Sequence, residues 1–292
     1  FVHWPAQGLD EGRDVDMITS YVDVLPTLIS MCDVAAPEKV KFDGVDISEL
    51  IRGTAKDWPD RILVTDSQRV KDPIKWRKSA TMTDRWRLVN GTELYDIKGD
   101  PGQERDVAAE YPAVVDSLRA AYDAWWADIS PSFAIDERIV IGHPAENPTQ
   151  LTAHDWLNDD DGPTPWHQSH IRDALPSNGW WAVRVAESGR YRVALRRWPS
   201  DVSQPLSAAL PAGDPVPGLK AFRETPGRAL AVTGARLKVS DRSWKKSVSA
   251  QAEEVVFEID LEAGEHTLQG IFETETEDRA EIGSYYAVVE LL

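Results

Sequence analysis

Two hydrophobic rhythms run through this chain, and they change over near residue 130. In the first stretch, short apolar runs are interleaved with segments of helical spacing. "FVHW" (1–4) reads as a strand ended by Pro5, and "VDMIT" (15–19) as a short extended run. Over 24–32, Leu25, Leu28, Ile29 and Cys32 share one helical face, with Asp23 placed as N-cap and Pro26 in the first turn, where its missing N–H costs nothing. "FDGVDISELIRG" (42–53) predicts a turn and a short capped helix ending at Gly53. "RILVTDS" (61–67) and "KSATMTD" (78–84) read as strands. "RWRLVNG" and "TELYDI" form a hairpin hinged on Asn90-Gly91, a dipeptide that tolerates the positive φ of a tight turn. A small antiparallel sheet follows. In "AAEYPAVVDSLRAAYDAWWADI" (108–129), Val114, Val115, Leu118, Tyr122 and Trp125 recur at helical spacing behind Pro112, which predicts one amphipathic helix laid across that sheet.

After "SPSF" (130–133) the period shortens. A loop-rich stretch over roughly 142–178 holds four of the six histidines and the acidic run "NDDDG". Beyond it apolar and polar residues alternate in "GWWAVRV", "GRYRVALRRW", "RALAVTGARLKV", "AEEVVFEIDLEAGEHTLQGIF" and "GSYYAVVEL". Period-two runs punctuated by Gly, Pro and Asp indicate an all-β sandwich. The expected fold is therefore α/β followed by all-β, with divisions 1–130, 131–178 (a connector) and 179–292.

Composition narrows the partners. The net charge of −17 argues against nucleic acid, although "RVKDPIKWRK" (69–78) is locally basic. No window carries the roughly 18 consecutive apolar residues of a spanning helix. A single cysteine, Cys32, excludes an intrachain disulfide and a multi-cysteine zinc site. The opening "FVHWPAQG" has no initiator Met and reads as the middle of a longer polypeptide.

Candidate chemistry is sparse. Cys32 ends an apolar face with no basic neighbour before Lys39, the setting of a small core residue rather than of a nucleophile. Asn158, Asp159, Asp160, Asp161 and Gly162 offer hard oxygens for calcium but lack EF-hand spacing and read as a solvated acidic turn. Asp23 with Glu49 has no spacing that singles it out as an acid–base pair. "HDW" (154–156) and "WHQSH" (166–170) set imidazoles beside indoles on loops. This makes His154, Asp155, Trp156, Trp166 and His167 the candidate substrate-binding residues, with Trp plugging a domain junction as the structural alternative. Trp180, Trp181 and Trp198 sit at alternating strand positions and read as core, with carbohydrate stacking as the alternative.

"FVHWPAQGLDEG", "SYVDVLPTLISMC", "FDGVDISELIRG" and "DRWRLVNGTELYDIKGDPGQERDVAAEYPAVVDSLRAAYDAWW" stand in the order and spacing seen in the C-terminal part of the sulfatase family, which the chain resembles over about 1–128. Residues 135–292 resemble, more loosely, the β-sandwich extension of some bacterial sulfatases. The resemblance implies an alkaline-phosphatase-like fold and hydrolysis of sulfate esters, aryl or glycan. It further implies a calcium ion, a formylglycine formed in a C/S-x-P/A-x-R motif, and a periplasmic or secreted location. A divalent cation and ammonium groups would neutralise the sulfate as charge moves. No residue of this chain takes a catalytic or metal-binding role by that comparison. Cys32 is followed by Val34 and Ala36 where the motif needs Pro or Ala and then Arg, and "SQPLS" (203–207) ends in Ser207. The expectation is a C-terminal portion, inactive alone, whose nucleophile and metal site precede Phe1. A phosphodiesterase or phosphonate hydrolase of the same superfamily and a carbohydrate-binding module are the alternatives.

Overall fold

A computed structural model describes residues 2–36, 38–68, 70–158, 163–214 and 226–292. The fold is mostly β-sheet with few helices. Two compact units divide it: Phe1–Gln68 with Ile74–Ser132, and Arg69–Pro73 with Phe133–Leu292.

The first unit begins without a strand. Trp4 makes only an isolated bridge to Leu9 around a 3-10 turn at Pro5–Gln7, and 15–19 joins no sheet. Both segments were expected to be extended; apolar character makes a strand only where a partner accepts its N–H and C=O groups. Helix α1 (Val24–Met31) and helix α2 (Ser48–Arg52) fall where the sequence places them, and Gly53 closes α2 in the left-handed region at φ 72°. The faces differ from expectation. Leu25 and Leu28 are 56% and 50% exposed and Cys32 is exposed, while the buried residue of α1 is Thr27. Its hydroxyl donates to the Asp23 carbonyl (2.6 Å) and accepts from the Ile47 N–H (3.0 Å), tying α1 to the segment that leads into α2. Cys32 is thus no core residue, because none of the described residues covers its side of the helix.

Strands β1 (Leu63–Asp66), β2 (Ser79–Met82), β3 (Trp86–Val89) and β4 (Glu93–Asp96) form an antiparallel meander in that order. Helix α3 (Pro112–Ile129) lays Val115 and Leu118 on Leu88, Leu94 and Val107. The hinge has the expected chemistry: Asn90 and Gly91 take φ 49° and 70°. Gly91 is needed twice over, since a Cβ there would meet the Trp76 ring at 2.7 Å. Trp76 stacks on Tyr122 at 3.8 Å, and the Tyr122 hydroxyl accepts from the Trp76 N–H (3.0 Å).

The stretch "LYDIKGDPGQERDV" builds the link from sheet to helix. Asp106 accepts from the Leu94 N–H (3.0 Å), and the Val107 N–H returns to the Leu94 carbonyl (2.8 Å). Asp100 accepts from the Arg105 N–H (2.9 Å), and backbone N–H bonds of this kind hold its carboxyl below the ordinary value.

In the second unit, β5 (Ile139–Ile141), β6 (Thr149–Thr152), α4 (Gln168–Arg172), β7 (Trp181–Val185), β8 (Gly189–Arg196), β9 (Val232–Val239), β10 (Arg242–Ser247), β11 (Val255–Leu261), β12 (Gly264–Thr274), β13 (Glu281–Gly283) and β14 (Tyr286–Leu291) follow in turn. One sheet has the order β10-β9-β12-β7-β5 with β13 on β12, the other β11-β8-β14-β6. Their inward residues, Val183, Leu237, Leu268 and Phe272 from one and Val193, Leu195, Phe257, Ala287 and Val289 from the other, share one core. The segment expected as a connector contributes structure of its own: β5 pairs parallel to β7 and β6 antiparallel to β14. Runs as short as "IVI" and "TQLT" carry too little alternation to show as strands in sequence.

Candidate functional site

The acidic positions Asp159, Asp160, Asp161 and Gly162 lie outside the described residues. The other connector candidates separate into two groups. "HDW" forms a 3-10 turn at Ala153–Asp155 directly after β6. Its residues face different ways. His154 and Asp155 are exposed, and the Asp155 carboxylate accepts from the Thr152 hydroxyl (2.8 Å). Trp156 is 5% exposed, edge-on to Trp181 (5.8 Å) and tilted against Tyr285 (5.8 Å), with Gly283 leaving room for its ring. An enclosed indole of this kind supplies packing area and has no face to offer a ligand.

"WHQSH" stays at the surface. His167 is the N-cap of α4: its Nδ1 accepts from the Ser169 N–H (3.1 Å) and lies 2.6 Å from the Ser169 hydroxyl. Accepting at Nδ1 puts the proton of the neutral ring on Nε2. The His170 ring lies 4.0 Å from that of His167, and Trp166 stands edge-on to both, 4.3 Å from His167 and 5.3 Å from His170. With Trp166 47% exposed, indole and imidazole are presented together. Such a surface can stack on a sugar ring and hydrogen-bond its hydroxyls. Gln168, from the same turn, donates to the Tyr286 hydroxyl (2.9 Å), and burial pushes that phenol up.

Trp181 and Trp198 are 0% and 1% exposed, and Trp180 is half-buried. Trp181 donates to the Thr152 carbonyl (2.7 Å) and Trp198 to that of Pro205 (3.1 Å). These indoles are core. Beside Trp198 lies Arg197, fully buried, its guanidinium donating to the carbonyls of Leu206 (3.1 Å), Ala208 (3.2 Å), Arg172 (3.3 Å) and Arg228 (2.7 Å). Burial lowers its pKa to about 10, so it remains charged at neutral pH. The Tyr285 hydroxyl donates to the Leu175 carbonyl (2.8 Å) and is pushed up by burial. Buried polar residues of this kind knit the loops between strands rather than form a reacting centre.

One feature was missed in the sequence. At the open side of the sandwich, edge strand β10 faces edge strand β11 across a groove of about 560 Å³. The register pairs Arg242 with Val239, Trp244 with Leu237 and Lys246 with Ala235, so these three β10 side chains point to the face on which β9 is buried. Arg242 donates to the Asp260 carbonyl (2.9 Å) and Lys246 to the Val256 carbonyl (2.7 Å), with Trp244 between them. The signal was "RSWKKS", an alternating run with charge where a core strand carries apolar residues.

No protein-family profile and no curated protein matches the chain. Among solved structures it is similar to a ruminal GH26 endo-β-1,4-mannanase, at 12% identity over 50% of this chain and 26% of that one, with a TM-score of 0.27. It is also similar to a family 35 carbohydrate-binding module from Cellvibrio japonicus (13% identity, 50% and 89% covered, TM-score 0.25). A third is the C-terminal family 6 module of a laminarinase from Zobellia galactanivorans (11%, 49% and 99%, 0.24). The chain spans about a quarter of the mannanase. Scores at this level assign no ligand.

Proposed function

We propose that this chain is the C-terminal portion of a sulfatase, a sulfuric ester hydrolase acting on an aryl or glycan sulfate. The supporting observation is the meander β1–β4 followed by α3, in the chain order of the stretches that carry the family resemblance. At its centre the Val107 N–H donates to the Leu94 carbonyl across the "GDPGQER" turn. A second support is the exposed apolar surface of Val24, Leu25 and Leu28, the kind of face made to be covered by more of a domain.

Among the described residues, calcium and formylglycine, the groups the family uses, find no fitting side chains. Cys32 lacks the following Pro or Ala and Arg. The fully buried carboxylate of the first unit, Asp23, has its oxygens taken by Arg61 and by the N–H groups of Ser20 and Val45. On this reading the reaction belongs to the parent polypeptide outside this chain, and this chain's part is architectural and substrate-facing, with the exposed Trp166 beside the half-buried His167 offered to a glycan.

The test is sulfate release from an aryl sulfate by the continuous polypeptide that contains these 292 residues, with a bis-aryl phosphate as competitor. Sulfate release is the expected result. Preferred cleavage of the phosphodiester would instead identify a phosphodiesterase of the same superfamily, and turnover by the 292-residue chain alone would overturn the placement of the chemistry.

A further inference from the structure

We propose that the groove between β10 and β11 is a binding site for a sulfated polysaccharide. The inference rests on the sulfate-ester reading for the identity of the anionic group; the site itself is argued from its geometry.

Three properties set the groove apart. The first is charge. In a chain of net charge −17, its lining holds Arg190 and Lys246 against one carboxylate, Glu258, while Lys245, also at its edge, alternates onto the opposite face of β10. Two of these cations are already paired, Arg190 with Glu258 (2.8 Å) and Lys245 with Glu273 (2.7 Å). Lys246 and Arg242 are different: among the described residues each is bound to a neutral backbone carbonyl and neither makes an ion pair. Neither is held by a carboxylate in a direct ion pair, and a sulfate oxygen is a stronger acceptor for either than the carbonyl it would displace.

The second is the aromatic floor. Arg242 lies over the half-buried Trp244 ring at 5.1 Å and Lys246 over the buried Phe257 ring at 5.3 Å, so Trp244 is the aromatic face that the groove has to offer. A pyranose carries an apolar C–H face for an indole and substituents at its rim for the cations, so one sulfated sugar matches both. The third is extent. The tethers leave from Arg242 and Lys246, four residues apart on β10, and land on Asp260 and Val256; Trp244 and Lys246 line the groove, and Arg242 crosses to β11 next to the residues that line it.

Inward-pointing charges also protect a sheet edge from pairing with another chain, which is the competing reading of Arg242 and Lys246. The two readings diverge on binding. The experiment measures retention of the 292-residue chain on immobilised dextran sulfate, carboxymethyl dextran and plain dextran, which share one backbone. The variants are Arg242→Gln/Lys246→Gln, Trp244→Phe and Trp244→Ala, with Lys39→Gln, in the other unit, as a charge control. Glutamine keeps an N–H donor while removing the charge, though it is one bond shorter than lysine and two shorter than arginine, so a thermal melt of each variant checks that the fold is kept.

The expected result is binding to dextran sulfate that is at least about fivefold tighter than to carboxymethyl dextran, absent on dextran, and weakened as salt rises to about 0.5 M. The double glutamine variant and Trp244→Ala each bind at least about fivefold more weakly, Trp244→Phe retains most of the affinity, and Lys39→Gln is unchanged. No binding, or binding untouched by these substitutions, overturns the proposal and leaves edge protection as the role of the two cations. Equal retention by carboxymethyl dextran or by single-stranded DNA overturns the assignment of sulfated sugar. Hydrolysis of a small aryl sulfate does not need this groove, so failure here is distinct from failure of the sulfatase reading.

Discussion

Single buried charges do much of the organising. Asp23 holds the N-cap position of α1 as expected, but its carboxylate caps no N–H of that helix and accepts from Arg61 through both oxygens (2.8 Å each), from Ser20 N–H (2.8 Å) and from Val45 N–H (2.9 Å). Burial raises its carboxyl, but the hydrogen bonds outweigh that and hold it below the ordinary value. With the folded value below the unfolded one, ionised Asp23 stabilises the fold above the unfolded carboxyl pKa, and the contribution is lost as pH falls through the folded value. Asp23→Asn should cost about 3–5 kcal/mol at neutral pH, because it strands Arg61, and should flatten the acid limb of unfolding below about pH 4. Near-UV circular dichroism against pH reads both effects. In the second unit Arg197 plays the comparable part. Arg197→Leu leaves four carbonyls without their donor, and urea unfolding should show a loss of about 3–5 kcal/mol, which Arg197→Lys recovers only in part because an ammonium cannot span the same fork.

Among elements, the hairpin at Asn90-Gly91 joins a local rule to a tertiary contact. Gly91→Ala meets both a positive φ and the Trp76 ring, so it should destabilise the first unit by about 1–3 kcal/mol. A Trp76→Ala background removes the ring and should reduce the penalty to that of the backbone alone, about 1 kcal/mol, in a double-mutant cycle. Leu94, fully buried where β4 meets α3, should cost about 2–5 kcal/mol as Leu94→Ala. The same unfolding experiment orders these positions and shows whether the sheet and α3 melt together.

At the scale of the whole molecule, each unit has its own core, and apolar exposure is concentrated in the opening residues. Val2, Val15, Tyr21, Val24, Leu25, Leu28, Val34, Val40 and Val45 are all exposed. No helix among the described residues is long and apolar enough to cross a membrane. Leu25→Ser/Leu28→Ser should therefore leave the melting temperature nearly unchanged while reducing self-association and hydrophobic-dye binding; a loss of stability above about 1 kcal/mol would mean that this face is packed in solution.

Much of this architecture could be read from local rules. The Gly53 stop, the Asn90-Gly91 turn, the 3.6 spacing of Val115, Leu118 and Tyr122 and the alternation of β8, β9 and β11 depend on a few neighbouring residues, and sequence displays such dependences directly. Burial is different, because it depends on what comes to lie opposite. Leu25 and Val193 are equally apolar in the chain, yet one is 56% and the other 0% exposed, since a second sheet covers Val193 and nothing in its unit covers Leu25. The same holds at the surfaces that could bind. "HDW" and "WHQSH" look alike as strings, but Trp156 is drawn under Gly283 into the core while Trp166 stays out. Trp244 and Lys246 line a groove, with Arg242 tethered beside it, because the sandwich ends with β10 facing the rim of β11, a juxtaposition across strands that no local period encodes.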